Sequence, residues 1–477
     1  MSFPHIFQSF LKRGLDRDIY DENSIIDYTI PHNRAKIIDL SSTFGYPDGN
    51  VMHQSITLSR TQRFASYCLR RLPLHTNDHS VPWNYDLDAE TSGYGFKFHE
   101  MAVFSEKLAG LTRTEQLQYM VTAGVGVPLL KRMLHKPYYY IDLSMMSSAQ
   151  VRPGYMNYGC YMLFNLDGTV KSILYNGITY GASTGAEASS CPYADSTEDV
   201  MGIPESVFAI SMASIVSYVT IVLHAGLCHY VYAGNTSVLL TEYLNTADGS
   251  SMDSHEELED FIKIFCFHNA EINTTARNIL ISPGGIVERL FAFSDAGLAY
   301  MLKLTASADA DFSEWIFNNN HSNPIEDYVN RFVDHTRSFI RTMPFDDSVC
   351  QLLIKQITVS TIIHELVGST IGIWVLHPRL SKTKVLLEEK DLNTLVESHQ
   401  SYILNKSIIY LTSGISVPML LGDNLRYCFR NSLTRLAFEQ YQTNLRNIMD
   451  RKYSSHNGEP WTTSYFDMRN METSISL

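Results

Sequence analysis

The sequence predicts a mostly α-helical protein with one small β element in its N-terminal third. Three observations carry that prediction. From Val207 onward, apolar residues recur at helical spacing over long stretches. Upstream, the segment Cys160–Tyr175 alternates with a period of two around an Asp-Gly turn. Apolar residues make up 45% of the chain and charged residues 18%, the balance of a chain that buries a core.

Composition also excludes some functions. The chain has 477 residues, and length alone suggests about three domains, a soft prior. No boundary shows, however, and the chain reads as one domain over residues 1–477. The net charge is -13 with no Lys/Arg block, so phosphate neutralisation, and with it nucleic-acid binding, is not expected. The seven cysteines are scattered and odd in number, which argues for a reducing, cytoplasmic compartment over a disulfide framework. The first residues contain no long apolar stretch of the secretory kind. The longest apolar run, Ile203 to Ala225, is broken by Pro204, Glu205, several serines, Tyr218 and Thr220, and reads as a buried helix, not a bilayer span.

Taken in order, residues 1–100 are irregular, with loops at Pro73–Asn77 and Asp86–Gly93. Leu111–His135 has a helical pattern, opened by Thr112 and Thr114 with Glu115 in the first turn. A hairpin follows, with strands Cys160–Asn165 and Thr169–Tyr175 about Leu166-Asp167-Gly168. Gly181–Thr197 reads as a loop. Helices are expected over 207–234, 255–283, 324–341, 347–377, 388–420 and 424–449, the fourth closed by Pro378.

The chemistry centres on His224-Ala225-Gly226-Leu227-Cys228-His229. Residues five apart do not share a face of a regular α-helix, where neighbours lie three or four apart. They converge if the helix widens to i→i+5 bonding, a distortion that recurs at functional sites. Two imidazoles aimed at one point in an apolar segment suggest a buried transition-metal site. Two packed core histidines, each with a hydrogen-bond partner, are the plainer reading. A further histidine, His364, lies in the apolar helix Thr358–Trp374. Asn273–Glu288 carries a helix into a Pro-Gly-Gly break at Pro283, Gly284 and Gly285. The chain ends in Ser474-Ile475-Ser476-Leu477, small and apolar where most ends are frayed and polar.

Together these segments resemble the non-haem iron lipoxygenase family. His224 and His229 match the family's first two metal ligands on its central helix, and His364 falls where the third histidine belongs. Ile272–Glu288 resembles the arched stretch that lines the substrate channel, which puts Ala276, Leu280, Gly284 and Ile286 along that channel. Ser474–Leu477 is similar to the family's Ser-Ile-Ser-Ile end, whose free α-carboxylate binds the metal. Leu163–Ile173 looks like the strand pair ahead of the catalytic helices. The likeness covers about 155–477, the metal-binding helical core, and leaves 1–154 as a divergent N-terminal part without the family's accessory β-sandwich.

The resemblance implies a metal-dependent oxygenase. Three imidazoles and a carboxylate oxygen suit Fe, or alternatively Mn. The implied reaction removes hydrogen from between two cis double bonds of a polyene and adds O2 to give a hydroperoxide. The implied partners are a small apolar polyene and O2, with transient contact at a membrane surface. The role of the protein is to hold the apolar chain in a dry channel.

Several positions depart from the family pattern. A further ligand, Asn, His or Ser, is usual four residues after the third histidine; here that place is Gly368, and Ser369 or Thr370 are poorly spaced substitutes. A missing ligand shifts redox potential and exchange at a metal. Ala209 and Ala213 stand near a tryptophan and a lysine found in many plant members, and Leu477 replaces isoleucine. His377 is an alternative third ligand, Gly284 an alternative helix cap, Arg277 a structural tie and Trp374 a core residue as readily as a channel wall. The alternative function is therefore a tailoring enzyme of the same fold, acting on a terpenoid, polyketide or hydroperoxide; a non-catalytic binding protein is a third reading.

Overall fold

The structure is a computed structural model. It describes residues 110–181, 202–235, 291–318, 326–367 and 431–454, together with Leu108, Val287, Leu290, Ile371, Trp374, residues 383–385 and Leu387. Of the described residues 62% are helical, and the class is mostly α.

Helix α1, Arg113–Ala123, starts where its sequence says it should. The Thr112 side chain accepts from the Glu115 N–H, and the Glu115 carboxylate accepts from the Thr112 N–H at 2.8 Å, closing a capping box. It does not run to His135 as expected. Gly124 and Gly126 weaken the helix and Pro128 has no N–H to continue it. The chain turns through a short 3-10 stretch, Val127–Leu129, into a strand instead.

The β element is larger than the predicted hairpin. Five strands, β1 (Lys131–Arg132), β2 (Tyr138–Asp142), β3 (Tyr161–Asn165), β4 (Val170–Tyr175) and β5 (Ile178–Gly181), form an antiparallel meander in chain order. The expected pair is present as β3 and β4, with Met162 opposite Ile173. The β4–β5 link is Asn176-Gly177, with φ of 50° and 77°. Positive φ at both central residues is what a two-residue hairpin turn requires. The central strand β3 is buried on both faces, and Ile141, Met162, Phe164 and Ile173 join the protein core.

The long core helix opens as α2, Glu205–Tyr218, and continues as a π-wound segment, π1, over Val219–Asn235. Its first part, Glu205–Cys228, is long and apolar enough to cross a membrane by length and composition alone, but 94% of its apolar window is buried inside the protein. The buried-helix reading therefore holds. Ser214 fastens α2 to the sheet side of the molecule by accepting from the Gly159 N–H at 3.0 Å.

Around α2 and π1 pack α3 (Asp295–Lys303), α4 (Thr305–Asn318), α5 (Glu326–Ile340) and α6 (Asp347–Val359). Helix α6 passes without a break into a second π-wound segment, π2, over Ser360–Val367. Helix α7, Ser432–Ser454, closes on α5. On α5, Val329, Phe332, Val333, Thr336 and Ile340 are buried at the spacing of one helical face. Phe339 stacks on Tyr441 of α7 at 5.0 Å, and the Thr336 and Tyr441 hydroxyls pair at 2.7 Å. Each such aromatic contributes about 2–3 kcal/mol by burial. Helices α3 and α4 were not expected, although Ser294 caps α3 by accepting from the Gly297 N–H.

Tyr158 ties the sheet to distant chain. Its hydroxyl donates to the Thr383 carbonyl at 2.6 Å and accepts from the Ala292 N–H at 2.8 Å. The Thr383 hydroxyl in turn donates to the Leu290 carbonyl. Among the described cysteines, Cys160, Cys228 and Cys350 are buried free thiols.

Candidate metal centre

Two segments build the site, and each changes from α to π winding before it reaches a histidine. In π1 the turn that holds His224 is wound with i→i+5 bonding, the winding that brings positions five apart into register. Position 229 lies in the same π segment; the side chain of His229 is outside the described residues. In π2 the histidine is His364, a few residues beyond the change of winding. The sequence singled out His364 but carried no sign of the π turn that presents it.

The two rings meet. The imidazoles of His224 and His364 have centroids 4.9 Å apart at an interplanar angle of 34°. Both are buried, at 0% and 4% exposure. Val222, Leu223, Ala225 and Leu227 on one segment, and Ile362 and Ile363 on the other, are buried with them. Burial, and then the neighbouring His364 ring, push His224 well below the usual imidazole range. It is therefore neutral at neutral pH, the form in which a ring nitrogen can ligate.

The pair fits a shared cation. A ligating imidazole nitrogen stands about 2 Å from a divalent metal, which puts the rings of two adjacent ligands roughly 4.5–5 Å apart, centre to centre. The observed separation lies in that range. Among the described residues no group of three His, Cys, Asp or Glu side chains gathers at one point. Leu477, the channel residues Ala276, Leu280, Gly284 and Ile286, and Gly368, Ser369, Thr370, His377 and Arg277 all lie outside the described residues.

Two neighbours of the site were not anticipated. The Cys228 thiol faces the Val359 carbonyl at 3.9 Å, joining π1 to the end of α6. Gly226, between the two predicted ligands, is where α4 crosses π1: a Cβ there would overlap the Thr305 hydroxyl. A glycine inside a buried helix is a signal of close approach that the sequence did offer. A further tie, Lys355 to Asp309 at 2.8 Å, joins α6 to α4. Trp374 is a core residue: it is 1% exposed, and its ring lies 6.5 Å from that of Tyr119.

No family model matches the sequence. Nor does any curated protein match it. Solved structures do. A calcium-dependent 11R-lipoxygenase aligns with a TM-score of 0.55 at 12% identity, covering 87% of this chain and 74% of its own. A fungal lipoxygenase from Fusarium graminearum gives 0.54 at 12%, covering 98% and 89%. The manganese lipoxygenase of Gaeumannomyces graminis gives 0.51 at 12%, covering 90% and 91%. These matches cover a larger share of the chain than the 155–477 over which the sequence resemblance runs. At such identity they speak for the fold alone, and the chain has a divergent lipoxygenase-like fold.

Proposed function

We propose that the protein is a non-haem metal-dependent oxygenase that removes hydrogen from a polyene and inserts O2 to form a hydroperoxide. The observation that carries the reading is the buried His224–His364 pair, set on two π-wound segments of a lipoxygenase-like fold. In this reading His224, His229, His364 and the Leu477 carboxylate hold the metal, with Fe first and Mn second. The solved neighbours include a manganese enzyme. Bound there, the ion would supply one-electron redox chemistry.

The chain's own contributions are positional. The π turns set the two imidazoles at one point, and the apolar residues around them keep water out. A neutral His224 offers its lone pair without first releasing a proton. The substrate class rests on a neighbour: one lipoxygenase was solved anaerobically in complex with arachidonate. Ala276, Leu280, Gly284 and Ile286 would line the channel for such a chain. A reducing, cytoplasmic compartment is part of this reading, on the scattered, odd-numbered cysteines of the sequence.

The test pairs elemental analysis with a diene assay. Wild type should hold about one Fe or Mn per chain and produce conjugated-diene absorbance from linoleic or arachidonic acid. His224→Ala, His364→Ala and a variant with two residues added after Leu477 should each lose the metal. Stoichiometric metal without diene would favour the tailoring reading that Gly368 suggests. Metal-free wild type would end the oxygenase reading.

A further inference from the structure

Two turns lie at one end of the sheet. Strand β2 runs away from the 133–137 turn and pairs with β3 so that Tyr138 faces Asn165. The 166–169 turn that follows Asn165 therefore stands at that same end, and the Asn176-Gly177 turn stands at the other. Each of the first two turns presents a leucine to solvent. Leu134 is 79% exposed, the most exposed large apolar side chain among the described residues, and Leu166 is 42% exposed.

The surroundings of these leucines are basic. Residues 131–136 contain Lys131, Arg132, His135 and Lys136 and no acid, in a chain whose net charge is -13. Lys171 of β4 adds a cation beside them, 4.0 Å from the centre of the Tyr138 ring. Among the described residues two acids face the cluster. Asp311 of α4 pairs with Lys131 at 3.7 Å, both exposed. Asp167 accepts from the Thr169 N–H at 2.9 Å and from its hydroxyl at 2.6 Å, so its charge is held by its own turn. Arg132 and Lys136 are exposed cations, and the His135 side chain is exposed between them.

Both turns are firm. The Met133 N–H donates to the Tyr138 carbonyl at 2.9 Å and closes the first. The second is packed on α1, where the Gln118 amide donates to the Asp167 carbonyl at 3.3 Å. Exposed leucines on ordered turns, ringed by cations and underlain by tyrosine, match the chemistry of an anionic lipid surface. Acyl chains receive the leucines, headgroup phosphates and carboxylates receive the cations, and the tyrosine ring suits the boundary between them.

We infer that this end of the sheet, through Leu134, Leu166, Arg132, His135, Lys136 and Lys171, docks the protein reversibly on anionic membranes. The inference does not depend on the reaction proposed above, because neither metal nor turnover enters it. A single exposed leucine would mean nothing. Here two stand on adjacent turns with a charge pattern opposite to that of the whole chain.

Co-sedimentation of the full chain with large vesicles tests it. Wild type should bind equimolar phosphatidylcholine–phosphatidylserine vesicles and bind phosphatidylcholine alone at least about tenfold more weakly. Raising salt from about 0.1 M to about 0.5 M should release it. Arg132→Gln with Lys136→Gln should weaken binding about fivefold for each charge removed. Leu134→Ser with Leu166→Ser should weaken it about tenfold with the charges intact. These side chains are at the surface, and unchanged circular dichroism would show that the variants fold. No binding to phosphatidylserine vesicles, or binding that both double variants retain, overturns the inference. So does a single-stranded oligonucleotide that binds through Arg132 and Lys136 when vesicles do not, since the surface would then belong to a nucleic acid.

Discussion

Gly226→Ala tests the packing that sets the spacing of the candidate site. A Cβ at 226 would overlap the Thr305 hydroxyl, sit 3.2 Å from the Thr305 Cβ and 3.1 Å from the Ile221 carbonyl oxygen. Thr305 is buried and opens α4, so it cannot swing into solvent. Forcing a methyl into a packed core costs about 1–3 kcal/mol. Replacing glycine by alanine within a helix returns up to about 1 kcal/mol. The expected net loss is thus about 1 kcal/mol, with π1 pushed off α4. Chemical denaturation of wild type, Gly226→Ala, Thr305→Ala and the double variant measures it. The Thr305 hydroxyl has no hydrogen-bond partner among the described residues, so its removal forfeits no bond. Thr305→Ala should therefore recover most of the loss, with a coupling of at least about 0.5 kcal/mol. A Gly226→Ala protein as stable as wild type, or strictly additive effects, would refute the close crossing. Metal content of the same proteins would show whether the displacement reaches His224.

Other expectations follow from the same contacts. Burial pushes the Cys160 thiol up to about 12, so native protein at pH 8 should resist iodoacetamide at that residue while unfolded protein reacts; labelling at Cys160 in the native state would contradict its burial. Thr112→Ala should cost about 1 kcal/mol by uncapping α1, read from the denaturation midpoint. The Glu115 carboxyl is held below the usual carboxylate range by bonds from the Thr112 N–H and hydroxyl. A depressed folded pKa stabilises above the unfolded value and is lost as pH falls through the folded one, so wild type should lose more stability on acidification than Glu115→Gln. If the histidine pair holds a metal, chelation should lower wild-type stability by RT ln(1 + [L]/Kd), about 4 kcal/mol for a site held at a thousand times its Kd, and leave His364→Ala unmoved. Equal melting temperatures with and without chelator would count against a bound ion.

What was legible in the sequence were features with a local cause. Thr112 and Glu115 announced the start of α1, and Asp167-Gly168 announced the β3–β4 turn. The 326–340 helix was legible because its apolar residues form a stripe. Other local signals were present as well. Asn176-Gly177 marks the β4–β5 turn as clearly as Asp167-Gly168 marks the other, and Tyr138–Ile141 is an aromatic and β-branched run. Gly124, Gly126 and Pro128 should have stopped α1 before His135. The π winding around His224 was legible only in the five-residue spacing to His229, and that around His364 had no local cause to read. Val219–Cys228 is buried all round, so no polar face reveals the phase of the helix. In such a segment α and π winding share one hydrophobic pattern.

That ambiguity bears on what the π segments are for. A π turn is rare and usually a single bulge, because i→i+5 bonding packs less well than i→i+4. It persists where surrounding structure over-determines it. Here two helices that are separate in sequence both change winding, and the histidines of both segments meet at 4.9 Å in the core. Packing alone gives no reason for both changes to occur where imidazoles converge. Nor does it give a reason to bury two imidazoles side by side, since desolvation and mutual proximity make charging His224 unfavourable. A ligand that takes a lone pair from each ring accounts for the winding, the burial and the neutrality together.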